Sequence, residues 1–533
     1  MNKKFPQSAE KIFIILIILL GAYFRLAKLG YSDFQGDEVA AQNYLFGEQE
    51  FFKFIFTRTK GPGQYAVSAL ANIFAYDFNV ENLKNIELYV RLPFALTGIA
   101  LLPLLYFFVR KHKDKMTALL ATSLISLSGL MIAFSRIVQY QVFVILISVI
   151  VCWLMLKYAQ LDGLAAPAKS KQKRLLILSG VFSGVGLLFH YDSFSFILPI
   201  LFLLMASKRF KPAFIYIATT LIMPAIYFTV LFLRTPEPSE IIRYLLFARI
   251  QSDFIYDNIF YSIKILKMYH PLEFLILSLV GCFLWIYRQQ IISKHRGILV
   301  IGLFLLGLFR YFRGAGNELL YISSLVFGLA VLVSYFFGRE FNFNNLIVGW
   351  FVLSLVAYFF VMEKALTHIY VVFIPASILF ASQLAAVLKE KGIVRNFLFA
   401  LLVLVLFTTT SFNFQAFIDT TPEYPWHAKK YILGFMPANI SSGERVEGIF
   451  GFPYSRNWKD VRKVALDLGV ETYYSNEKYR LAKYYMQGFG WNEDPEVFIY
   501  IEDPQSLSSM ECPSGEVLAK GDGFLFFSGD VVE

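Results

Sequence analysis

The stretch LPFALTGIALLPLLYFFVR, residues 92–110, runs directly into KHKDK at 111–115. A helix of that length reaches across the roughly 30 Å of a bilayer's hydrocarbon core, and it carries no charge before Arg110. In lipid the backbone must satisfy its hydrogen bonds internally, which leaves helices and closed barrels as spanning structures. The run shows none of the alternation of a barrel strand. The basic cluster at its end has the signature of a cytoplasmic loop. This segment therefore predicts a helical membrane protein, and the rest of the chain is read outward from it.

The whole composition agrees. Of 533 residues, 57% are hydrophobic, 18% aromatic and only 17% charged, and mean hydropathy is +0.56. Soluble chains carry about 25% charged residues, and a single soluble core cannot absorb this much apolar surface. Hydropathy predicts spans near 10–29, 92–110, 117–135, 138–157, 175–190, 194–208, 212–233, 271–288, 297–312, 318–337, 345–362, 369–388 and 396–412, an α-helical polytopic protein of about 13 transmembrane helices. The first of these begins as a signal peptide does, with Lys3 and Lys4 before an apolar run from Ile12 to Leu20. It continues through Gly21 to Leu29 without a clean cleavage site, so it reads as an uncleaved span.

The net charge of +10 would suggest nucleic acid in a soluble protein. Here the basic residues fall in short loops, Arg110 to Lys115, Lys169 to Arg174, Lys208 to Lys211, Arg288 to Arg296 and Lys389 to Arg395. They place the N-terminus and those loops in the cytoplasm, and no nucleic-acid partner is expected. The larger polar segments, 30–91, 234–270 and the tail beyond Asn413, then share the outer face of a plasma (inner) membrane. We divide the chain into a membrane domain, 1–412, whose first outer loop 30–91 is catalytic, and an extracytoplasmic domain, 413–533. The tail mixes β-rich runs, 497–501 and 523–527, with a helical pattern from Trp458 to Leu468, and predicts a small C-terminal α/β domain. Cys152 and Cys282 lie in apolar segments and Cys512 in a polar one, so no disulfide framework is available.

The first outer loop opens with Tyr31, Ser32, Asp33, Phe34, Gln35, Gly36, Asp37, Glu38 and Val39. Two adjacent carboxylates on a loop held by a rigid bundle are candidate catalytic groups, because a partly desolvated carboxylate makes a general base for a hydroxyl. Capping of the following helix, Val39 to Phe46, is the structural role that stands beside it. Further on, Arg58 and Lys60 precede Gly61, Pro62 and Gly63, a turn that opens an apolar helix. Backbone at such a turn approaches a ligand closely, and Lys60 with the helix dipole would favour a phosphate. Anchoring of lipid headgroups is the plainer use of the same cations.

Ionisable residues also gather at the outer ends of spans: Arg136, His190, Asp192, Arg310, Arg313, Glu363, Lys364 and His368. Charge there is costly unless paired or wetted, which points to a shared polar cavity. His190 and His368 are possible metal ligands, but no His/Cys cluster has metal-ligand spacing, and no metal is expected.

The order and spacing of these motifs resemble the protein mannosyltransferase and lipid A aminoarabinose transferase (ArnT-like) group of the GT-C superfamily. The resemblance rests on Asp37 and Glu38 after the first span, Lys60, Gly61 and Pro62 where the family has a Lys-Pro-Pro turn, and Arg91, Leu92 and Pro93 opening the second span with Gly98 beyond. It covers residues 10–200 well and the remainder loosely. It implies a GT-C fold and a hexosyl- or pentosyltransferase that moves a sugar from a polyprenyl-phosphate donor, in a membrane lipid setting, to a hydroxyl of a protein, lipid or envelope glycan, with inversion. It implies Asp37 as catalytic base with Glu38 beside it, and Lys60, Arg58, Arg136 and Lys364 toward the donor phosphate. His190, Asp192, His368 and Tyr370 fall toward substrate. No cofactor beyond the donor is implied. Gln141 stands where many members have Asp, and the 186–192 segment lacks a Lys common there, which bears on sugar and acceptor identity.

A transporter or flippase for a lipid-linked saccharide would share the hydrophobicity and the lipid partner. Transporters carry related halves and midplane charge, whereas here charge sits at the outer rim and the long first loop has no later counterpart.

Overall fold

The computed structural model describes residues 7–42, 55–56, 58, 61–74, 86–161, 166–234, 239, 257–271, 274, 340–358, 366–427, 431–432, 436–437, 449–505 and 512–528. The helices are α1 (Gln7–Leu26), α2 (Gly36–Ala40), α3 (Gly63–Phe74), α4 (Ile86–His112), α5 (Lys115–Leu127), α6 (Gly129–Ser135), α7 (Gln141–Gln160), α8 (Ala166–Phe189), α9 (Phe194–Ala206), α10 (Phe210–Arg234), α11 (Asp257–Tyr269), α12 (Phe343–Val356), α13 (Tyr370–Lys389), α14 (Ile393–Phe417), α15 (Trp458–Asp467) and α16 (Tyr479–Tyr485).

Among the described residues, α4, α7, α8, α10, α13 and α14 are long and apolar enough to cross a membrane, and the pair α5 and α6 makes a seventh. Large apolar side chains on α1, α10 and α14, among them Ile12, Leu16, Phe214, Ile226, Phe397 and Phe407, face outward. That is the pattern of a multi-pass membrane protein, in which lipid rather than a core takes the apolar surface. The expected spans at 297–312 and 318–337, and nearly all of 271–288, lie outside the described residues.

The expected single span 117–135 is instead α5 and α6, bent by 62° at Ser128. The bend exposes carbonyls at the end of α5 that a continuous helix would have paired, and in an apolar setting each must find a donor. Arg25 supplies two, to Ser126 O at 3.1 Å and Ile125 O at 3.3 Å, and Asn413 Nδ2 donates to Leu127 O at 2.8 Å. Gly129 follows the break because a Cβ there would stand 1.9 Å from Tyr269 O, at the end of α11. At the opposite end of α1, buried Glu10 takes Lys115 Nζ at 2.6 Å and Arg110 at 3.1 Å, so the basic run that oriented the sequence reading also ties α1 to α4 and α5.

The C-terminal segment carries short β1 (Tyr431–Ile432) and β2 (Met436–Pro437), then β3 (Thr472–Ser475), β4 (Gly490–Trp491), β5 (Val497–Ile501), β6 (Val517–Gly521) and β7 (Phe524–Ser528). The last five form one sheet in the order β4, β3, β5, β7, β6, parallel through β4, β3 and β5 and antiparallel beyond. Its apolar face does not close on itself. Trp458, Val461, Tyr485, Ile499 and Phe526 belong to one core cluster with Phe34 and Val39 of the segment after α1 and with Val90, Phe94, Val138 and Val142 of the bundle. The sheet and its helices are thus packed against the loop that follows α1.

Candidate active site

The loop from Leu29 to Glu38 is organised by Arg91, in the second turn of α4. Its Nε and Nη2 bind Glu38 Oε1 and Oε2 at 2.9 and 2.7 Å, and Nη1 and Nη2 donate to the carbonyls of Leu29, Ser32 and Asp33 at 3.2, 2.8 and 2.9 Å. Glu38 is fully buried, and its oxygens also accept the N–H groups of Gln35 at 2.9 Å and Val138 at 3.0 Å. Four acceptances fill a carboxylate. The adjacent pair expected from sequence is therefore split by environment: Glu38 braces the loop against α4 and the turn after α6. The bond from Gln35 N–H fulfils the capping role considered for it, in the helix 36–40 rather than one starting at Val39.

Asp37 points the other way. It is exposed, contrary to the expected partial desolvation, and its described partner is Gln139, whose Nε2 donates to Oδ2 at 3.1 Å. Gln141 Nε2 in turn donates to Gln139 Oε1 at 2.8 Å, while its own Oε1 is buried without a partner among the described residues. The sequence reading did not single out Gln139, Tyr140 or Arg91 as site residues. Gln139 and Tyr140 were signalled only by position, directly after the third apolar segment, and Arg91 by its place in the Arg91, Leu92 and Pro93 stretch that carried the resemblance.

Asp33 lies beneath the loop, buried, with Oδ2 accepting Arg456 N–H at 2.6 Å. Burial pushes its carboxyl up to about 7, with nearby Glu87 adding to the rise and Arg456 and Lys459 opposing it. Glu87 receives Lys459 Nζ at 2.7 Å and the Tyr485 hydroxyl at 3.1 Å, and Tyr485 accepts Phe34 N–H at 2.8 Å. Gln505 closes the contact, accepting from Gly36 N–H and donating to Phe34 O. Trp426 and Trp458 are fully buried core residues, and Trp491 packs its edge against Tyr473.

Of the cations expected at the donor phosphate, Lys60 and Lys364 lie outside the described residues, as do Arg310, Arg313 and Glu363. Arg58 is half-buried over the Tyr65 ring at 5.2 Å, and its carbonyl accepts the Tyr227 hydroxyl at 2.7 Å. Gly61 adopts φ +105°, and a Cβ there would meet Leu188 O at 2.3 Å, so the expected turn is pressed onto the end of α8. Arg136 requires a correction. It is buried and donates to Gly451 O at 3.2 Å and to Phe24, Ala27 and Lys28 carbonyls at 2.8, 2.8 and 3.4 Å. It closes the C-terminal end of α1, where carbonyls lack helical partners and favour a cation, and its guanidinium is not presented to a phosphate.

His190, Asp192 and His368, expected on one side of the membrane, and Tyr370, expected with them toward substrate, converge on Asp192. Asp192 Oδ1 lies 3.2 Å from His190 Nδ1, and Oδ2 accepts from His368 Nδ1 at 2.7 Å and the Tyr370 hydroxyl at 2.8 Å. A short 3-10 turn, Tyr191–Ser193, links α8 to α9 and sets the first pair, and another, Leu366–Ile369, leads into α13 and sets the second. The Tyr140 ring stacks on His190 at 3.8 Å with 6° between planes, which joins this cluster to the 139–141 segment beside Asp37.

Residues 78–232 match the family described as dolichyl-phosphate-mannose-protein mannosyltransferase. No curated protein sequence matches the chain. In structure the chain is similar to ArnT from Cupriavidus metallidurans bound to undecaprenyl phosphate, at 11% identity and TM-score 0.54 with 98% of each chain covered. The apo state of that protein gives 12% and 0.49 with the same coverage. The oligosaccharyltransferase of Archaeoglobus fulgidus gives 13% and 0.45, over 95% of this chain and 59% of that one. The expected resemblance is thus met by a family match over residues 78–232 and by a likeness in fold along the whole chain: the chain has a fold similar to that of ArnT.

Proposed function

We propose that the protein is an integral membrane glycosyltransferase that moves a sugar from a polyprenyl-phosphate donor to a hydroxyl acceptor on the outer face of the membrane, with inversion. The observation that carries the reading is the division of labour between neighbours: Glu38 is consumed by Arg91, Gln35 and Val138, and Asp37 is left exposed on the frame so made. ArnT of Cupriavidus metallidurans, which shares the fold, binds undecaprenyl phosphate.

Asp37 takes the proton of the acceptor hydroxyl as its oxygen forms a bond to the anomeric carbon, and the bond from that carbon to the lipid phosphate breaks. Lys60 and Arg58 neutralise the charge that collects on the departing phosphate. His190, Asp192, His368 and Tyr370 form a polar wall reached through residues 139–141, suited to sugar hydroxyls. The segment 413–533, extracytoplasmic in this topology, holds the loop through Phe34, Glu87 and Asp33. The supported class is glycosyl transfer, and the sugar, hexose or pentose, is open to experiment.

The test is reconstitution of the full chain in vesicles with a panel of polyprenyl-phosphate sugars and a membrane extract as acceptor source. Release of free polyprenyl phosphate, with the opposite anomer in the product, is expected for one donor. Movement of an intact lipid-linked sugar between leaflets without release would favour transport instead.

A further inference from the structure

Among the described residues, His190, Asp192 and His368 form a group whose ligand atoms all lie within 4.8 Å of one another, each residue buried. They come from two places 176 residues apart, which is why spacing in the sequence gave no metal signature. Their hydrogen bonding is oversubscribed at one atom. His190 Nδ1 accepts the N–H of Asp192 at 3.2 Å, and the same nitrogen faces Asp192 Oδ1 at 3.2 Å. An imidazole nitrogen has a single in-plane position. If it is a lone pair, it satisfies the N–H and opposes a carboxylate oxygen. If it carries a proton, it satisfies the carboxylate and opposes the N–H. A cation between nitrogen and oxygen would satisfy the two electron pairs that otherwise face each other, with the Asp192 N–H then turned to another acceptor.

The remaining chemistry suits a metal. His368 Nδ1 converges on the other oxygen of Asp192, and Tyr370 orients that oxygen. Tyr140 and Tyr191 each hold the His190 ring at 3.8 Å between centroids. Two imidazoles and one carboxylate, close enough to close around one ion and rigidly supported, are the donors that zinc and related first-row cations prefer. A hydrogen-bonded His-Asp-His relay with no ion is the competing account.

We propose that His190, Asp192 and His368 bind one divalent first-row metal ion, zinc or a close relative, with Tyr370 positioning the carboxylate. This stands independently of the transferase reading, since it concerns metal content and not turnover.

The experiment uses the full chain purified in detergent through a histidine-free tag. Elemental analysis should find about one zinc-class ion per chain in wild type. After chelation, Co²⁺ should restore a visible absorption band and raise the thermal midpoint. Asp192→Asn should lose the ion and the band, Tyr370→Phe should bind roughly 10- to 100-fold more weakly, and Asp37→Asn should bind as wild type. Should Asp192→Asn fail to fold, the wild-type band and the Tyr370→Phe shift still decide. A wild type that arrives metal-free, gives no Co²⁺ band and gains no thermal stability from zinc or Co²⁺ would overturn the proposal and leave the relay.

Discussion

Two buried polar knots stand at helix ends of the bundle and differ in one respect. Around Glu38 and Arg91 every donor meets an acceptor: five N–H groups of the guanidinium and four acceptances at the carboxylate are matched. Around Asp192 the groups converge just as closely, yet His190 Nδ1 faces two partners with opposite demands. A saturated network holds backbone in place. The first frames Asp37, and the second is the site proposed for a metal ion.

The largest effect expected from breaking this contrast is on stability. Arg91→Ala leaves Glu38 charged, buried and stripped of its main partner, and costs about 3–5 kcal/mol, read as a collapse of the thermal midpoint or loss of the monodisperse peak in detergent. Near-normal stability would mean that the loop is not held by this pair. In metal-free protein Asp192→Asn is milder, about 1.5–3 kcal/mol, because it removes charge-assisted hydrogen bonds and leaves a polar amide in their place. Equal losses in the two variants would erase the distinction.

The effect that is smallest per measured step concerns Asp33, a buried carboxyl of the first region. Its carboxyl is raised to about 7, above the ordinary carboxylate range, so the folded protein favours the protonated form. That stability is present in acid and is lost as pH rises through about 7, on the order of 1 kcal/mol per pH unit between the unfolded and folded values. Wild type should therefore lose thermal stability between pH 5 and pH 8 relative to Asp33→Asn, in which the titration is absent. A gain over that range relative to the variant would contradict it.

Much of the bundle was legible because hydropathy reports on lipid directly. The runs at 92–110, 212–233 and 396–412 fall within long helices, and those at 138–157 and 369–388 match helices that begin at Gln141 and Tyr370. The bend at Ser128 was not legible, since apolar residues continue on both sides and the groups that make it tolerable, Arg25 and Asn413, lie far off in sequence. The same limit governed the site. Position placed His190, Asp192 and His368 among the ionisable residues of one face and the resemblance added Tyr370, but a pairing across nearly two hundred residues leaves no local pattern. Arg136 was misjudged because an arginine that closes a helix end and one that meets a phosphate look alike in sequence. The resemblance set Asp37 apart from Glu38 as the base, and the physical difference between them is that Arg91 reaches only Glu38.

The most direct measurement is donor turnover by Asp37→Asn beside wild type in the same vesicles, with thermal stability and lipid binding recorded for both. The account predicts unchanged stability, retained polyprenyl-phosphate binding, and turnover lower by about 10²- to 10⁴-fold, the scale of a lost general base. Turnover equal to wild type in a folded, lipid-binding variant would contradict it and remove Asp37 from the chemistry.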